Sequence, residues 1–226
     1  MKYLKAIILS GCLAFILFNP QAAKCKDASH PFNLSLNEIM AGIENRYATK
    51  GFSANFSQES TIKAIDITDT ASGKLFVKAP GMMRWEYEKP DQQLIITDGK
   101  RLWVYRQDDN QVIVGTAPYF FGNGKGGGFL SDMNIIREKF NIVLDDKSSG
   151  KYYVLKLIPR EKTFDISLIY LSISINTFDI VQITTYNLYN DKTTIYLKNI
   201  EFKKHIDDSM FYFEIPEGAD ILQLDG

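Results

Sequence analysis

Few residues in this chain have the types and spacing that catalysis requires. The 226 residues include two histidines, His30 and His205, which are far apart in the sequence. They form no pair at metal-ligand spacing, and no serine stands in a nucleophile elbow. We expect both histidines to be exposed to solvent rather than catalytic.

The acidic pairs and the glycine cluster are also weak candidates for chemistry. Acidic pairs begin at Asp108, Asp145 and Asp207, in turn-like stretches where such residues serve local hydrogen bonding. The glycine-rich run at 122–128 does not lead from a strand into a helix with an acidic partner downstream, as a nucleotide-binding loop would. We therefore predict no catalytic residues, no metal site and no cofactor, and a protein that works by binding.

Composition narrows the class of partner. The formal net charge is −1 and 23% of the residues are charged. Nucleic-acid binding needs a clustered basic surface, so a nucleic-acid partner is not expected. The length suits one domain of ordinary size.

The N-terminus is typical of a secretory signal peptide, which we assign to residues 1–23. Lys2 and Lys5 precede an apolar run at 6–18, which is too short for a transmembrane helix. A competing interpretation is a lipobox that would lipidate Cys12, but the apolar run before this residue is short and continues long after it. Without the signal peptide Cys25 has no cysteine partner, so the exported chain forms no internal disulfide.

The rest of the chain reads as a flexible leader at 24–33 followed by a single domain at 34–226. Ser35 and Glu38 fit a helix capping box, and apolar residues then recur at helical spacing, which predicts a helix over about 35–49. Almost everything after it alternates in polarity between turn signals, which predicts about ten β-strands. The exception is 117–140, where the flexible glycine-rich run precedes a short helix with an apolar face, as in a lid or binding loop.

About ten strands that are apolar on one side must bury that side. The alternatives are a sandwich of two sheets and one curved sheet with a covered concave face. One helix and one lid cannot cover a flat sheet of this width, so we predict a mainly β fold with a single strongly curved antiparallel sheet. A filled core and an apolar cavity would use the same residues, and the sequence leaves both open.

One block of the chain resembles a known family. It contains two prolines and both tryptophans in a dense β meander, with these elements in order: Gly73, Val77 and Lys78, Pro80, Arg84 to Glu86, Pro90, Asp98 to Lys100, Leu102 and Trp103, and Tyr105. This order resembles the periplasmic lipoprotein carrier family (LolA). Weaker similarity reaches upstream to 52–58 and downstream to 211–220, so the resemblance covers nearly all of the exported chain.

The resemblance implies an unclosed β-barrel in which short helices lid a hydrophobic cavity. It also implies a monomeric, non-enzymatic periplasmic chaperone. Such a protein would accept acylated lipoproteins from an inner-membrane ABC transporter and deliver them to an outer-membrane receptor. A lipid- or lipoprotein-binding sensor without a transport role is the alternative.

The same resemblance suggests which residues would hold the acyl chains. The expected set comprises one aromatic strand, two neighbouring strands and the helical cover: Met83, Trp85, Tyr87, Leu75, Val77, Leu94, Ile96, Ile39, Met40, Ile43, Phe129 and Leu130. Trp103 and Tyr105 could instead pack outside the cavity.

The chain departs from the family at Ala79. Members of the family often have an arginine immediately before this proline, and that arginine latches the lid to the sheet. Arg84 cannot replace it, because alternation places Arg84 on the face opposite Trp85. The expectation is a lid that closes more weakly here, which would shift the balance toward retention of the lipid.

Overall fold

The computed structural model describes residues 34–49, 51–121, 127–161, 165–203 and 205–224. The predicted signal peptide and leader, with Cys12, Cys25 and His30, lie outside the described residues, as does most of the glycine-rich run. The helices are α1 (Leu36–Tyr47), α2 (Ala117–Phe121) and α3 (Asn134–Lys139), with a 3-10 helix at Asp208–Phe211. The strands are β1 (Gly51–Ile62), β2 (Ile67–Lys78), β3 (Met82–Lys89), β4 (Gln93–Asp98), β5 (Arg101–Arg106), β6 (Gln111–Thr116), β7 (Phe140–Leu144), β8 (Tyr152–Pro159), β9 (Leu168–Ser174), β10 (Ile180–Tyr186), β11 (Lys192–Lys203) and β12 (Asp220–Gln223).

The predicted N-terminal helix is confirmed as α1. The Ser35 hydroxyl accepts from the Glu38 backbone N–H at 3.3 Å, and the Glu38 carboxylate accepts from the Ser35 backbone N–H at 2.7 Å. This reciprocal pairing satisfies free N–H groups at the start of the helix. The buried side chains of α1 recur at helical spacing and lie on a single face: Ile39, Met40, Ile43 and Tyr47.

The strands form one curved, unclosed sheet, as predicted. Its order is β12-β6-β5-β4-β3-β2-β1-β11-β10-β9-β8-β7, so two meanders meet where the long strands β1 and β11 pair. The pairs are antiparallel except that β12 runs parallel to β6, a detail that the prediction missed. Strands β6 and β7 are far apart in this order, and the chain between them, with α2 and α3, must cross from one half of the sheet to the other.

The sheet buries apolar side chains on both faces. The inner face, which packs against α1, carries the main core and includes Phe56, Leu75, Trp85 and Leu171. The outer face carries a smaller cluster of Ile96, Trp103 and Val112, with Leu94, Tyr105 and Phe213 packed against it. The C-terminal segment covers this outer cluster, and the Phe213 ring centroid lies 5.5 Å from that of Tyr105.

Gly73 lets three aromatic side chains meet across the middle of the sheet. It pairs with Phe56 on β1 and with Tyr87 on β3, next to a register shift in β2–β3 pairing. With no side chain at Gly73, the Phe56 ring lies 4.9 Å from both the Trp85 and the Tyr87 rings, edge to face. A Cβ on Gly73 would lie 1.8 Å from the Glu86 carbonyl oxygen, so the backbones are too close for any other residue.

We expect Gly73→Ala to destabilise the fold by about 3 kcal/mol or more, because the clash is with backbone that cannot rotate away. Urea unfolding measures the change. Gly115→Ala is the matched control, since its Cβ would meet the Leu224 side chain at 3.1 Å, near the end of the described chain. Equal stability losses in the two variants would contradict this account of Gly73.

Candidate functional site

Strand register brings five of the predicted residues together on the inner face. Val77 pairs with Met83, Leu75 pairs with Trp85, and Gly73 pairs with Tyr87. Partners in an antiparallel pair project on the same side of the sheet, so the β2 and β3 residues form one continuous wall. Leu75, Val77 and Met83 are almost completely buried in it.

Leu94 and Ile96 lie on the other face, so the prediction that they join this wall is wrong. Ile96 pairs with Arg84, while Ile95 pairs with Trp85 and so shares its face. Leu94 and Ile96 instead belong to the outer cluster with Trp103 and Tyr105. The run Leu94 to Ile96 is apolar at every position because both faces are covered. Alternation therefore could not show which side chains point inward, and Ile95 was missed.

The predicted helical cover also lies on the inner face. Ile39, Met40 and Ile43 of α1 are buried in the main core, as are Phe129 and Leu130. Residues 127–139, here called the cover segment, contain a one-turn 3-10 helix at 127–130 and α3. The predicted helix over about 129–140 is thus shorter, and Phe140 already begins β7.

A cavity of about 280 Å³ opens on the inner face beside the aromatic wall. Its apolar lining comes from β3, β4, β10, β11 and the connections that cover it: Trp85, Tyr87, Ile95, Ile183, Ile195, Phe120, Gly127 and Ile166. Among the predicted residues, Trp85 and Tyr87 line it. Leu94 and Ile96 lie in the outer cluster, and the rest pack in the main core. This volume is just under the range of roughly 300 to 1,000 Å³ usual for ligand pockets.

The cavity also has a polar rim, formed by Gln58, Thr185, Thr193, Asn187, Asp191 and Asp165. The Tyr87 hydroxyl donates to Gln58 Oε1 at 3.1 Å, and Gln58 Nε2 donates to Ser60 Oγ at 3.1 Å. Burial raises the pKa of Tyr87 to about 12, so its phenol keeps its proton at neutral pH. The rim therefore holds neutral hydroxyl and amide groups, which bond to one another, together with two carboxylates.

The described residues lack both a cluster of metal-ligating side chains and a helix that could cross a membrane. They contain no group of three or more His, Cys, Asp or Glu side chains placed to hold a metal ion. No helix within the described ranges has the length and hydropathy to cross a membrane. His205 is exposed, as predicted.

The cover segment is attached to both α1 and the sheet. Arg137 of α3 forms an ion pair with Glu44 of α1, and Gly81 N–H donates to the Ser131 carbonyl at 3.4 Å. Ala79 is exposed beside this contact and lines a space of about 530 Å³ together with Glu44 and Asp132. Position 79, where family members often have an arginine, thus lines an open space together with the carboxylates of Glu44 and Asp132.

Comparison with known proteins identifies similar chains. The family model described as "Outer membrane lipoprotein carrier protein LolA" matches residues 47–214. A protein of Nitrosomonas europaea named outer-membrane lipoprotein carrier protein is 32% identical over 172 residues, which are 76% of this chain and 82% of that protein. A protein of the same name from Alkalilimnicola ehrlichii is 30% identical over 174 residues, 76% of this chain and 77% of the other.

A solved structure shares the fold. The crystal structure of an uncharacterized conserved protein from Thermus thermophilus superposes with a TM-score of 0.55, at 11% identity. The match covers 84% of this chain and all of the other. This likeness concerns the fold alone.

We expect Ala79→Arg to hold the cover segment more tightly, because the guanidinium would enter the space that faces Glu44 and Asp132. Hydrogen exchange of the backbone amides at 129–136 should slow by about twofold to fivefold, as for a partly exposed ion pair. Ala79→Met is the control, since it fills similar space without charge. Equal slowing in both variants would show that charge is not the cause.

Proposed function

The chain belongs to the LolA family of outer membrane lipoprotein carrier proteins, and on this basis we propose that it binds the acyl chains of lipoproteins on the inner face of its sheet. The observation that carries the proposal is the cavity beside Trp85, Tyr87 and Ile95. Its lining is mostly apolar and its cover is a separate segment of chain, which is what a cavity for a hydrocarbon cargo requires.

The energetics favour a carrier whose cavity closes when it is empty. Burying a methylene gains about 0.8 kcal/mol, so one sixteen-carbon chain gains on the order of 12 kcal/mol before any cost. Two or three chains would approach the limit of roughly 18 to 21 kcal/mol for noncovalent affinity. A carrier with no opposing cost would not release such a cargo.

The cover segment provides this opposing cost. Phe129 and Ile136 are fully buried against the inner face. A cavity of about 280 Å³ is too small for several acyl chains, so loading must displace some of these contacts. The free energy lost in that displacement lowers the net affinity and makes release to an acceptor possible.

We further propose that the chain acts in the periplasm as a monomer, without catalysis. It would receive lipoproteins from an inner-membrane ABC transporter and pass them to an outer-membrane receptor. The predicted signal peptide at 1–23 and the names of the relatives support this route. With alanine at position 79, the state in which the cover segment packs on the inner face is less favoured. We therefore propose that this chain retains its cargo longer. Ala79→Arg should then speed transfer to the receptor.

The direct test mixes the purified protein with inner-membrane spheroplasts, or with liposomes that contain the transporter. Soluble one-to-one complexes with acylated lipoprotein are expected. Their absence would overturn the carrier proposal. Binding of lipoprotein without any transfer onward would instead favour a sensor without a transport role.

Thr185→Trp should weaken binding of lipoprotein at least tenfold, because an indole at this half-buried position on β10 would fill the cavity. Displacement of a fluorescent fatty-acyl probe measures the affinity. Gln182→Trp is the matched control, since Gln182 lies on the same strand and, by alternation, on the opposite face. If the two variants bound the probe equally well, the cavity would not be the acyl-chain site.

A further inference from the structure

Trp85 carries a buried hydrogen-bond donor that finds no acceptor among the described residues. Within the described ranges, its indole Nε1 is the buried side-chain nitrogen or oxygen for which no partner is found. The residue is 3% exposed and lines the cavity. An indole N–H can only donate, so no rearrangement of its own proton can satisfy it.

The neighbours of Trp85 explain why the donor is unpaired. The residues that pair with it on β2 and β4 are Leu75 and Ile95, which have no polar side-chain atoms. The Phe56 ring packs against it with centroids 4.9 Å apart. The nearest polar side chain of β3 on this face is Tyr87, whose hydroxyl already donates to Gln58. These packing neighbours therefore offer the indole N–H no acceptor.

An unpaired buried donor costs stability, which a phenylalanine in the same apolar place would avoid. The cost is removed if an acceptor oxygen arrives with the ligand. Trp85 is two residues from Tyr87 along β3, so its Cα lies about 7 Å from that of Tyr87 along the strand. An acceptor that reaches Trp85 Nε1 must belong to a molecule that is otherwise apolar enough to enter the cavity.

The charge of the cavity restricts the acceptor further. The described lining includes the carboxylates Asp165 and Asp191 and contains no lysine or arginine. A fatty-acid carboxylate or a lipid phosphate would bring negative charge toward these carboxylates, and the described lining adds no lysine or arginine to pair with it. A neutral carbonyl oxygen, as in an acyl ester, meets no such repulsion.

We propose that Trp85 Nε1 donates a hydrogen bond to an ester carbonyl oxygen of the bound cargo, which makes Trp85 a specificity-determining residue. The inference rests on the proposed function and identifies the ligand group as the neutral S-diacylglyceryl end of a lipoprotein. Ordinary phospholipids carry the same ester carbonyls, but their phosphate lies a few atoms away and would face the acidic rim.

The test compares two synthetic lipopeptides that differ only at the acyl linkage, a dipalmitoyl-S-glyceryl peptide and its dihexadecyl ether analogue, which has no carbonyl oxygens. The wild-type chain should bind the ester form about fivefold to tenfold more tightly, as expected for one hydrogen bond that satisfies a buried donor. Trp85→Phe should abolish this preference, so that the variant binds the ester and the ether with equal affinity, whatever its absolute affinity for either. Trp103→Phe, which alters the outer cluster, should keep the preference.

A spectroscopic readout distinguishes hydrogen bonding from packing. The chain has two tryptophans, so its NMR spectrum has two indole N–H signals, and Trp85→Phe identifies one of them. The Trp85 signal should move downfield with the ester lipopeptide but not with the ether. Phosphatidylglycerol should bind more weakly than the ester lipopeptide.

Each outcome bears on one proposal. Equal affinity of the wild-type chain for ester and ether, with no downfield shift, would overturn the role of Trp85 and leave the carrier proposal intact. Equal binding of phosphatidylglycerol would overturn the assignment of the ligand to lipoproteins. Binding of neither lipopeptide would overturn the proposed function itself.

Discussion

Burial of the inner face of the sheet is the requirement on which the other features depend. Twelve strands in one curved sheet place more apolar side chains on that face than α1 can cover. The connection between β6 and β7 supplies the remaining cover, because its path from one half of the sheet to the other lets it cross this face. Phe129, Leu130 and Ile136 of this connection are buried in the main core. The topology of the chain thus creates a cover that is not itself part of the sheet.

A cover of this kind can compete with a ligand in a way that a strand cannot. Strands of the sheet are held by ladders of backbone hydrogen bonds, and moving one would leave many buried polar groups unpaired. Among the described residues, the cover segment is held mainly by side-chain packing, the Arg137–Glu44 ion pair and two backbone hydrogen bonds, from Gly81 N–H to the Ser131 carbonyl and from Arg160 N–H to the Lys139 carbonyl. Hydrocarbon from a ligand could replace that packing, whereas an apolar ligand has no groups that could replace the backbone hydrogen bonds of a strand. The cavity therefore grows most easily by displacing the cover.

The sequence predicted features that depend on local patterns and missed those that depend on pairing between distant strands. The capping box at Ser35 was sufficient to place α1. The family resemblance pointed to Trp85 and Tyr87, which line the cavity. Ile183 and Ile195, which complete the cavity, lie on strands whose partners are set by pairing across the whole domain. The face assigned to Leu94 and Ile96 was wrong because the C-terminal segment covers the outer face there, and nothing local to β4 reveals that cover.

Affinity and selectivity come from different parts of such a site. Hydrocarbon burial is large and non-directional, so it holds any molecule with enough methylenes and hardly separates one lipid from another. A single hydrogen bond adds little to that total, yet it is directional and is lost entirely when the acceptor is missing. The two carboxylates of the polar rim would disfavour a negatively charged lipid in the same selective way. A buried indole N–H between Phe56, Leu75 and Ile95 would then distinguish the cargo from other lipids. It would not make the cargo much harder to release, because the affinity that one hydrogen bond adds is small compared with the packing that the cover segment restores when it closes.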